Sequence, residues 1–224
     1  MGTLLTISCY IFTFSPSFCI FCRFIAHDPV RIILFFLGSF FWLVSILFSS
    51  LIWLLLSQIL PKPQSFFLAI STSILIQESS RIAYFLLLKA AQSGLNKITK
   101  QGQISVAPGV SDLQNSRHML GLVCGLGMGV ISALFLTMNA FAAFSGPGTI
   151  GMPEALLKST VDVNRAGKYL PAFYSASALL LSCFHVCWTI MIWDSCHRFG
   201  RMPTAYLPGF AALITHFAVA YLDS

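Results

Sequence analysis

The sequence predicts an all-α fold, a polytopic bundle of membrane-spanning helices. Of the 224 residues, 57% are hydrophobic and only 9% are charged, a balance outside the range of soluble globular domains. Two stretches, 32–60 and 119–144, contain no Asp, Glu, Lys, Arg or His. Each is longer than the roughly 20 residues that a helix needs to cross about 30 Å of hydrocarbon. Both are therefore predicted to span a membrane.

Six spans are predicted in all, at 4–24, 32–60, 65–88, 119–144, 169–193 and 202–222. The connections HDPVR and PKPQ each contain a proline, which is disfavoured inside a helix. The longer stretches 90–118 and 145–168 contain Gly, Ser, Asn and Pro and are predicted to be loops. They hold too few apolar residues for a second core. Residues 1–224 are therefore expected to form a single transmembrane domain.

The basic residues predict how these spans are oriented, because Lys and Arg in short loops tend to stay in the cytosol. The loops after spans one, three and five are the more basic set, and the N-terminus is therefore predicted to face the lumen or the exterior. Those loops hold Arg23, Arg31, Lys89, Lys97, Lys100, Arg117, Arg198 and Arg201, whereas the loops after spans two and four hold Lys62, Lys158, Arg165 and Lys168.

Charge and cysteine content exclude two classes of protein. The net charge is +6, but the basic residues are scattered over short loops, so no nucleic-acid partner is predicted. The seven cysteines lie mostly in or beside apolar runs, which argues against a disulfide framework. Cys19 and Cys22 end an apolar run next to Arg23. Buried thiols are the simpler interpretation of this pair, and palmitoylation is the alternative.

Span three carries formal charges inside a predicted helix, in LIQESSRIAYF. Glu78 and Arg81 are three residues apart, so they share a helix face and can neutralise each other, with Gln77 nearby as a hydrogen-bonding group. A lone charge at the bilayer centre costs at least about 2.5 kcal/mol, so a position facing protein is predicted. With no acidic partner on another span, a structural pair is favoured over a proton or ion path.

His185 and His216 are the other titratable groups deep within predicted spans. The predicted topology allows both to face one cavity, and either hydrogen-bonded packing or a polar pocket is predicted for them. Zinc sites usually have three or four protein ligands, and no third ligand of similar depth is evident. No metal site is predicted.

The sequence contains no catalytic template for a membrane enzyme. H-E-x-x-H is absent, as are a serine–glycine element and a pair of intramembrane aspartates. Glu78 is the one acidic residue well inside a predicted span, so no acid–base couple can be assembled within the bilayer. The chain is predicted to be neither an enzyme nor a cofactor-binding protein.

The motif GLVCGLGMG places Gly121, Gly125 and Gly129 four residues apart within span four. Residues four apart advance by 400°, so these glycines form a stripe along one side of the helix, which Ala133 and Thr137 continue. In a lipid environment such a stripe lets a second backbone approach closely. Close packing of a helix on this stripe is therefore predicted, either from this chain or from another protein.

Gly127 interrupts the same motif and lies about 200° around the helix from Gly125. It is predicted to lie off the stripe. On this view, a large side chain at Gly127 is a milder change than one at Gly125.

The glycine motif strongly resembles that of the fourth helix in the anterior-pharynx-defective family, the scaffold subunit of the γ-secretase intramembrane protease. Four further segments resemble family segments in the same order, so the similarity covers nearly the whole chain. They are HDPVRIILFFLGSFFWLVSILFSSLIWLL at 27–55, LIQESSRIAYFLLLKAAQSGL at 75–95, SGPGTIG at 145–151 and FHVCWTIMIWDSC at 184–196.

The resemblance implies a seven-helix fold whose N-terminus lies outside the cytosol, in the endoplasmic reticulum, Golgi and plasma membrane. It also implies a non-catalytic role, in which the chain assembles and stabilises presenilin, nicastrin and presenilin enhancer among membrane lipids. The complex would then cleave single-span proteins such as Notch and amyloid precursor-like substrates. The family's histidines of helices five and six, which are associated with assembly and activity, match His185 and His216.

Six spans are predicted here, so residues 1–224 lack the family's seventh helix and C-terminal tail on this view. The alternative class is a small multi-span transporter or channel. Glu78, Arg81, His185 and His216 would then line a polar path. No inverted repeat in the sequence supports this alternative.

Overall fold

The computed structural model describes residues 2–100, 117–145 and 170–222, and within these ranges the chain is almost entirely helical, with no strand. This confirms the all-α class. The helices are α1 (Gly2–Ile20), α2 (Pro29–Ile59), α3 (Lys62–Lys100), α4 (Arg117–Ser145), α5 (Leu170–Arg198) and α6 (Leu207–Leu222), and a π-helical segment (Phe21–Ile25) follows α1. Residues 101–116 and 146–169, which include most of the two predicted loops and of the SGPGTIG motif, lie outside the described residues.

Each of the six predicted spans corresponds to a helix, but the helices differ in apolar length. Four segments of the described chain are long and apolar enough to cross a membrane: Ile7–Ile25, Pro29–Ile59, His118–Met138 and Pro171–Arg198. The apolar part of α6 is shorter, at Leu207–Tyr221, and α3 is diluted by polar residues. The whole is a membrane helix bundle.

Three helix ends lie five residues or more from the prediction. Helix α5 continues to Arg198 rather than ending at 193. Helix α3 continues to Lys100, although residues after 88 were expected to leave the helix, because Ala, Leu, Lys and Gln favour helix and Gly94 alone costs only about 1 kcal/mol. Helix α6 begins at Leu207 rather than at 202. Gly200 has a positive φ of 78°, and a proline occurs at 203, so helix cannot pass through this turn.

The start of α2 is fixed by the residues of the HDPVR turn. Asp28 accepts a hydrogen bond from the Val30 backbone N–H at 2.9 Å, which caps the helix, and Pro29 occupies a first-turn position where no backbone N–H is needed. Arg31 donates to the Phe24 carbonyl at 2.7 Å. These contacts tie the end of α1 to the beginning of α2.

Helix α4 lies at the centre of the bundle and packs most extensively on α5, then on α2. Its middle section is buried on all sides, including Val123, Cys124, Leu126 and Met128. The core continues through large aromatic side chains of α3 and α5. The buried side chains among these are Tyr84, Phe85, Trp188 and Trp193.

Cys19 and Cys22 are exposed on the surface of the bundle. Interpreting this pair as buried thiols was wrong. Helix α1 packs on α5 and α4 through a face that includes the buried Thr13 and Ser17, whose hydroxyls contact Ser175 and Ser182 of α5.

Candidate functional site

Helix α5 of the same chain covers the glycine stripe of α4. A methyl group placed on Gly125 would lie 2.8 Å from the Cα atom of Val186 and 3.0 Å from the Cβ atom of Thr189. Both distances are shorter than normal carbon–carbon contact. Only glycine therefore allows the two backbones to come this close.

The same approach is repeated one turn away in each direction. A methyl group on Gly121 would lie 3.1 Å from Ile190 Cγ1, and one on Gly129 would lie 2.6 Å from the Ser182 carbonyl oxygen. Each step of four residues along α4 matches a step of four backwards along α5. The stripe is thus an antiparallel seam, tightest at its middle and at Gly129, where backbone atoms are the neighbours.

Gly127 lies off the stripe but on a second packing face, so the structure contradicts the expectation that a large side chain there is the milder change. A methyl group there would lie 2.1 Å from the Phe35 carbonyl oxygen of α2. Ser39 donates a hydrogen bond to the Gly127 carbonyl oxygen at 2.8 Å. Glycine therefore allows close packing on both sides of α4, which is enclosed between α2 and α5.

Helix α2 contributes a glycine of its own to this second face. A methyl group on Gly38 would lie 2.5 Å from the Cys124 carbonyl oxygen. Nearby, the Tyr84 hydroxyl donates to the Leu34 carbonyl oxygen at 2.8 Å and accepts from the Cys124 thiol at 3.1 Å. Tyr84 therefore connects α3 to both α2 and α4.

The continuation of the stripe is also buried. Ala133 and Thr137 have exposed fractions of 1% and 0%, and the Thr137 hydroxyl donates to the Ala133 carbonyl oxygen at 2.8 Å. The hydroxyl is thus satisfied within its own helix and presents no free polar group to the packing face.

The predicted pair of Glu78 and Arg81 forms inside the protein. The Arg81 Nη1 group donates to Glu78 Oε1, and the two side chains are almost completely buried. The i, i+3 spacing on α3 brings them together, as the sequence predicted. Because the two charges neutralise each other, both side chains can be buried in the protein without leaving an uncompensated charge.

Both predicted histidines join this pair. Arg81 Nη2 lies 2.5 Å from His185 Nδ1, and His216 Nδ1 contacts Glu78 Oε1. Since a guanidinium can only donate, His185 Nδ1 must accept and the imidazole is neutral. Since a carboxylate accepts, His216 Nδ1 carries a proton. Glu78, Arg81, His185 and His216 form one hydrogen-bonded chain that links α3, α5 and α6, and we call it the polar cluster.

Aromatic side chains enclose the polar cluster, and sequence reasoning missed them. The ring of Trp188 stacks on His216 with centroids 4.0 Å apart, and the Arg81 guanidinium lies 5.6 Å from the Trp188 centroid. Trp193 Nε1 donates to the Arg81 backbone carbonyl at 3.2 Å. Trp188 and Trp193 follow His185 by three and eight residues, spacings that predict a shared inner face but not which charges the rings cover.

Gln77 does not join the polar cluster. Its amide donates to the Ser73 hydroxyl at 3.4 Å, one turn earlier on α3. The two histidines belong to no group of three or more His, Cys, Asp or Glu side chains that could hold a metal ion in the described part of the chain. The cluster instead consists of groups that neutralise one another.

Two cavities lie on either side of the contact between Glu78 and His216. One, of about 480 Å³, is lined by Glu78 and lies among α3, α5 and α6. The other, of about 440 Å³, is lined by His216 and by residues of α2 and α3 that include Gln77. The helices that meet at the polar cluster are therefore less tightly joined than those around α4.

These features define a class: a polytopic membrane helix bundle with a glycine-lined central helix and a buried ionic cluster. The chain belongs to the Aph-1 family, since the family model described as Aph-1 protein matches residues 4–223.

Relatives of known name agree with this assignment. The chain is 70% identical over 224 residues to gamma-secretase subunit aph-1 of Caenorhabditis elegans, which covers 100% of this chain and 72% of the relative. It is 34% identical over 200 residues to gamma-secretase subunit APH-1B of Homo sapiens, and this match covers 85% of this chain and 68% of the relative. It is 32% identical over 188 residues to gamma-secretase subunit Aph-1 of Drosophila melanogaster, and this match covers 84% of this chain and 68% of the relative.

Proposed function

We propose that this chain is a non-catalytic scaffold subunit of γ-secretase, which assembles and stabilises presenilin, nicastrin and presenilin enhancer. The observation that carries the proposal is the family match along residues 4–223, together with relatives that are named gamma-secretase subunits. The assembled complex would cleave single-span proteins such as Notch and amyloid precursor-like substrates.

The state of the described carboxylates supports the non-catalytic part of the proposal. Asp28 caps α2 and pairs with Arg31, and Asp194 pairs with Arg198 at 2.9 Å. Glu78 is held by Arg81 and His216. Each of these carboxylates has a structural partner, whereas acid catalysis by two carboxylates needs them side by side.

The bonding within the polar cluster favours a scaffold over a transporter or channel. Arg81 contacts both Glu78 and His185, so its charge is engaged in holding α3 to α5. A conduction path would need these groups to exchange protons or ions along it. Reconstitution of the chain alone into liposomes separates the two proposals, because a scaffold gives no proton or ion flux above that of empty liposomes.

Orientation and location are part of the same proposal. Basic residues are more numerous around the C-terminal ends of α1, α3 and α5 than around those of α2 and α4, which supports an N-terminus in the lumen or outside the cell. The chain would reside in the endoplasmic reticulum, Golgi and plasma membrane. An N-glycosylation acceptor added before residue 2 is expected to be glycosylated, and one added in the loop before α2 is expected to stay unmodified. The opposite result, with only the acceptor before α2 modified, would contradict the proposed orientation.

The scaffold role is tested by expressing the chain in cells that lack their own family member. Presenilin and nicastrin are expected to co-purify with it in mild detergent, identified by mass spectrometry. The chain purified alone is expected not to cleave a single-span substrate. Failure to recover these partners, or cleavage that persists after presenilin is removed, would contradict the proposal.

A further inference from the structure

The cavity of about 480 Å³ among α3, α5 and α6 opens to the outer surface of the bundle. Its volume falls within the roughly 300–1,000 Å³ of small-molecule pockets. Ile82, Phe199 and Phe210 line it and are exposed. Helices α3 and α6 make few contacts with each other, so a lipid chain can enter between them without passing through the core.

The cavity extends along the helices from an outer end to a deep end. Tyr206 lines the outer end, just before α6 begins, and Leu213 lines the cavity about 10 Å further along α6, at about 1.5 Å per residue. Apolar side chains make up most of the remaining wall. An elongated occupant with an apolar tail towards Leu213 and a polar group towards Tyr206 fits this shape.

The polar residues of the wall are compatible with such an occupant. At the outer end, Ser195 donates its hydroxyl proton to the Ala205 carbonyl oxygen at 2.6 Å, and Tyr206 is 60% exposed, so its hydroxyl can donate to an ester or phosphate oxygen. At the deep end, Glu78 is 6% exposed and paired with Arg81. An apolar tail there meets no unpaired charge.

Two cations flank the outer end of the cavity. Lys89 lies seven residues after Ile82, and therefore on the same side of α3. It is also close enough to the Cys196 thiol of the cavity wall to interact with it electrostatically. Arg201 follows Phe199, another wall residue, by two positions. Both cations are exposed, and neither forms an ion pair with another described residue.

The charge at this end selects among membrane lipids. Arg198 is neutralised by Asp194 at 2.9 Å, so Lys89 and Arg201 leave a net positive charge beside an apolar cavity. A negatively charged headgroup above an acyl chain complements this arrangement. Sterols and acylglycerols carry no such charge, and a choline headgroup brings a cation that the two side chains repel.

We propose that the cavity binds an acidic phospholipid, with its headgroup beside Lys89 and Arg201 and one acyl chain between α3, α5 and α6. Basic pockets between membrane helices on the cytoplasmic side bind acidic headgroups in this way. On the proposed orientation this end of the bundle is cytosolic, and the cytosolic leaflet carries the anionic lipids. The site goes beyond the scaffold role, since it depends only on contacts within this chain.

The test uses the full chain in phosphatidylcholine nanodiscs with a small fraction of phosphatidylserine that bears a diazirine on one acyl chain. Labelling is expected on the peptides of α3, α5 and α6 that line the cavity. At equal mole fraction, the matched phosphatidylcholine probe should label these peptides about tenfold less. Unlabelled phosphatidylserine should displace the probe, whereas the same amount of cholesterol should not.

Three results would overturn the proposal: equal labelling by the two phospholipid probes, equal displacement by cholesterol, or labelling spread evenly over all lipid-exposed helices. Both leaflets of the nanodisc contain the probe, and no other subunit is present. The result is therefore independent of the proposed orientation and of assembly into γ-secretase.

Charge-matched variants test the headgroup contact. Lys89→Gln with Arg201→Gln removes two positive charges at the cavity, whereas Arg23→Gln with Lys97→Gln removes two exposed positive charges away from it. The first pair is expected to lower labelling by phosphatidylserine to the level of phosphatidylcholine, and the second pair to leave it unchanged. Equal losses in both would show general attraction to a basic surface and would contradict the site.

A second matched pair tests the position of the acyl chain. Leu213→Trp fills the cavity from α6, whereas Ile214→Trp adds the same side chain at the next residue, which is exposed and does not line the cavity. Labelling of the cavity peptides is expected to be lost in L213W and kept in I214W, with circular dichroism showing that both are folded. Unchanged labelling in a folded L213W contradicts the site. If L213W does not fold, the charge-matched variants decide.

Discussion

The two sides of this bundle are held together in different ways. Around α4, glycines bring three backbones into direct contact, and a methyl group at Gly125 or Gly127 would collide with α5 or α2. Around α6, the helices meet through the charges and rings of the polar cluster, and cavities of about 480 and 440 Å³ remain beside it. On the α4 side, small side chains allow close contact between backbones. On the α6 side, large and polar side chains lie between the helices, and the packing is less complete.

This difference shows how two kinds of sequence signal act within one membrane. Small residues increase dispersion contact, which matters where lipid supplies no hydrophobic drive for helix association. Buried charges specify which helices meet, because a misplaced partner leaves a charge without compensation. The α4 side is thus expected to be sensitive to added volume, and the polar cluster to removed charge.

The largest effect is expected from removing one charge of the polar cluster. Glu78→Leu leaves Arg81 buried without its carboxylate, and Arg81→Leu leaves the carboxylate alone, so each should lower the free energy of unfolding by about 3–5 kcal/mol. Unfolding of the purified chain in increasing SDS, followed by circular dichroism, measures this.

The double variant is the control for this pair. Glu78→Leu with Arg81→Leu removes both charges and should be less damaging than either single change. It should still be less stable than the wild type, because His185 and His216 lose their partners. A loss equal to the sum of the two single losses would show that the charges are not coupled.

Added volume on the α4 side comes next. Gly127→Leu is expected to be at least as damaging as Gly125→Leu, because the nearest backbone atom to a methyl group is 2.1 Å away at Gly127 and 2.8 Å away at Gly125. Overpacking usually costs about 1–3 kcal/mol and sometimes more. The same SDS titration applies.

Gly94 provides the matched control for these glycines. It lies on α3, where no neighbouring atom of the described residues comes within 4 Å of an added methyl group. Gly94→Ala is expected to be neutral or stabilising by up to about 1 kcal/mol through helix propensity. If Gly127→Leu were as mild as Gly94→Leu, α4 would not be enclosed between two helices.

Loss of a histidine should have an intermediate effect. His185→Ala leaves an Arg81 N–H group without an acceptor, and His216→Ala removes a donor to Glu78 and the stack on Trp188. Each is expected to lower stability by about 1–3 kcal/mol and to lower the yield of assembled complex. Metal content by mass spectrometry should be the same in both variants and the wild type; stoichiometric zinc that disappears in both variants would contradict this.

The smallest effect is expected from Tyr84→Phe. This change removes a hydroxyl that bonds Leu34 and Cys124, and it should cost about 1 kcal/mol. Tyr206→Phe is the control, since Tyr206 is 60% exposed, and it should change stability little. Equal effects of the two substitutions would contradict the role of the Tyr84 hydroxyl in connecting α3 to α2 and α4.

The sequence predicted local relationships well and distant ones poorly. The glycine stripe and the pairing of Glu78 with Arg81 follow from helical periodicity within one helix. The contact of Arg81 with His185 spans 104 positions and depends on how α3 and α5 cross, which one helix cannot specify. Gly127 was misjudged for the same reason, since periodicity shows which side of a helix a residue lies on but not that both sides have neighbours.

The central claim is that close packing of α4 holds the bundle in the form that assembles γ-secretase. It is tested most directly by co-purification of presenilin and nicastrin with equal amounts of wild type, Gly125→Ala, Gly125→Leu and Gly94→Leu in cells lacking the native family member. Recovery is expected to fall from wild type to Gly125→Ala to Gly125→Leu, with Gly94→Leu equal to wild type. Equal recovery with Gly125→Leu and wild type would contradict the claim, and so would equal losses with Gly125→Leu and Gly94→Leu.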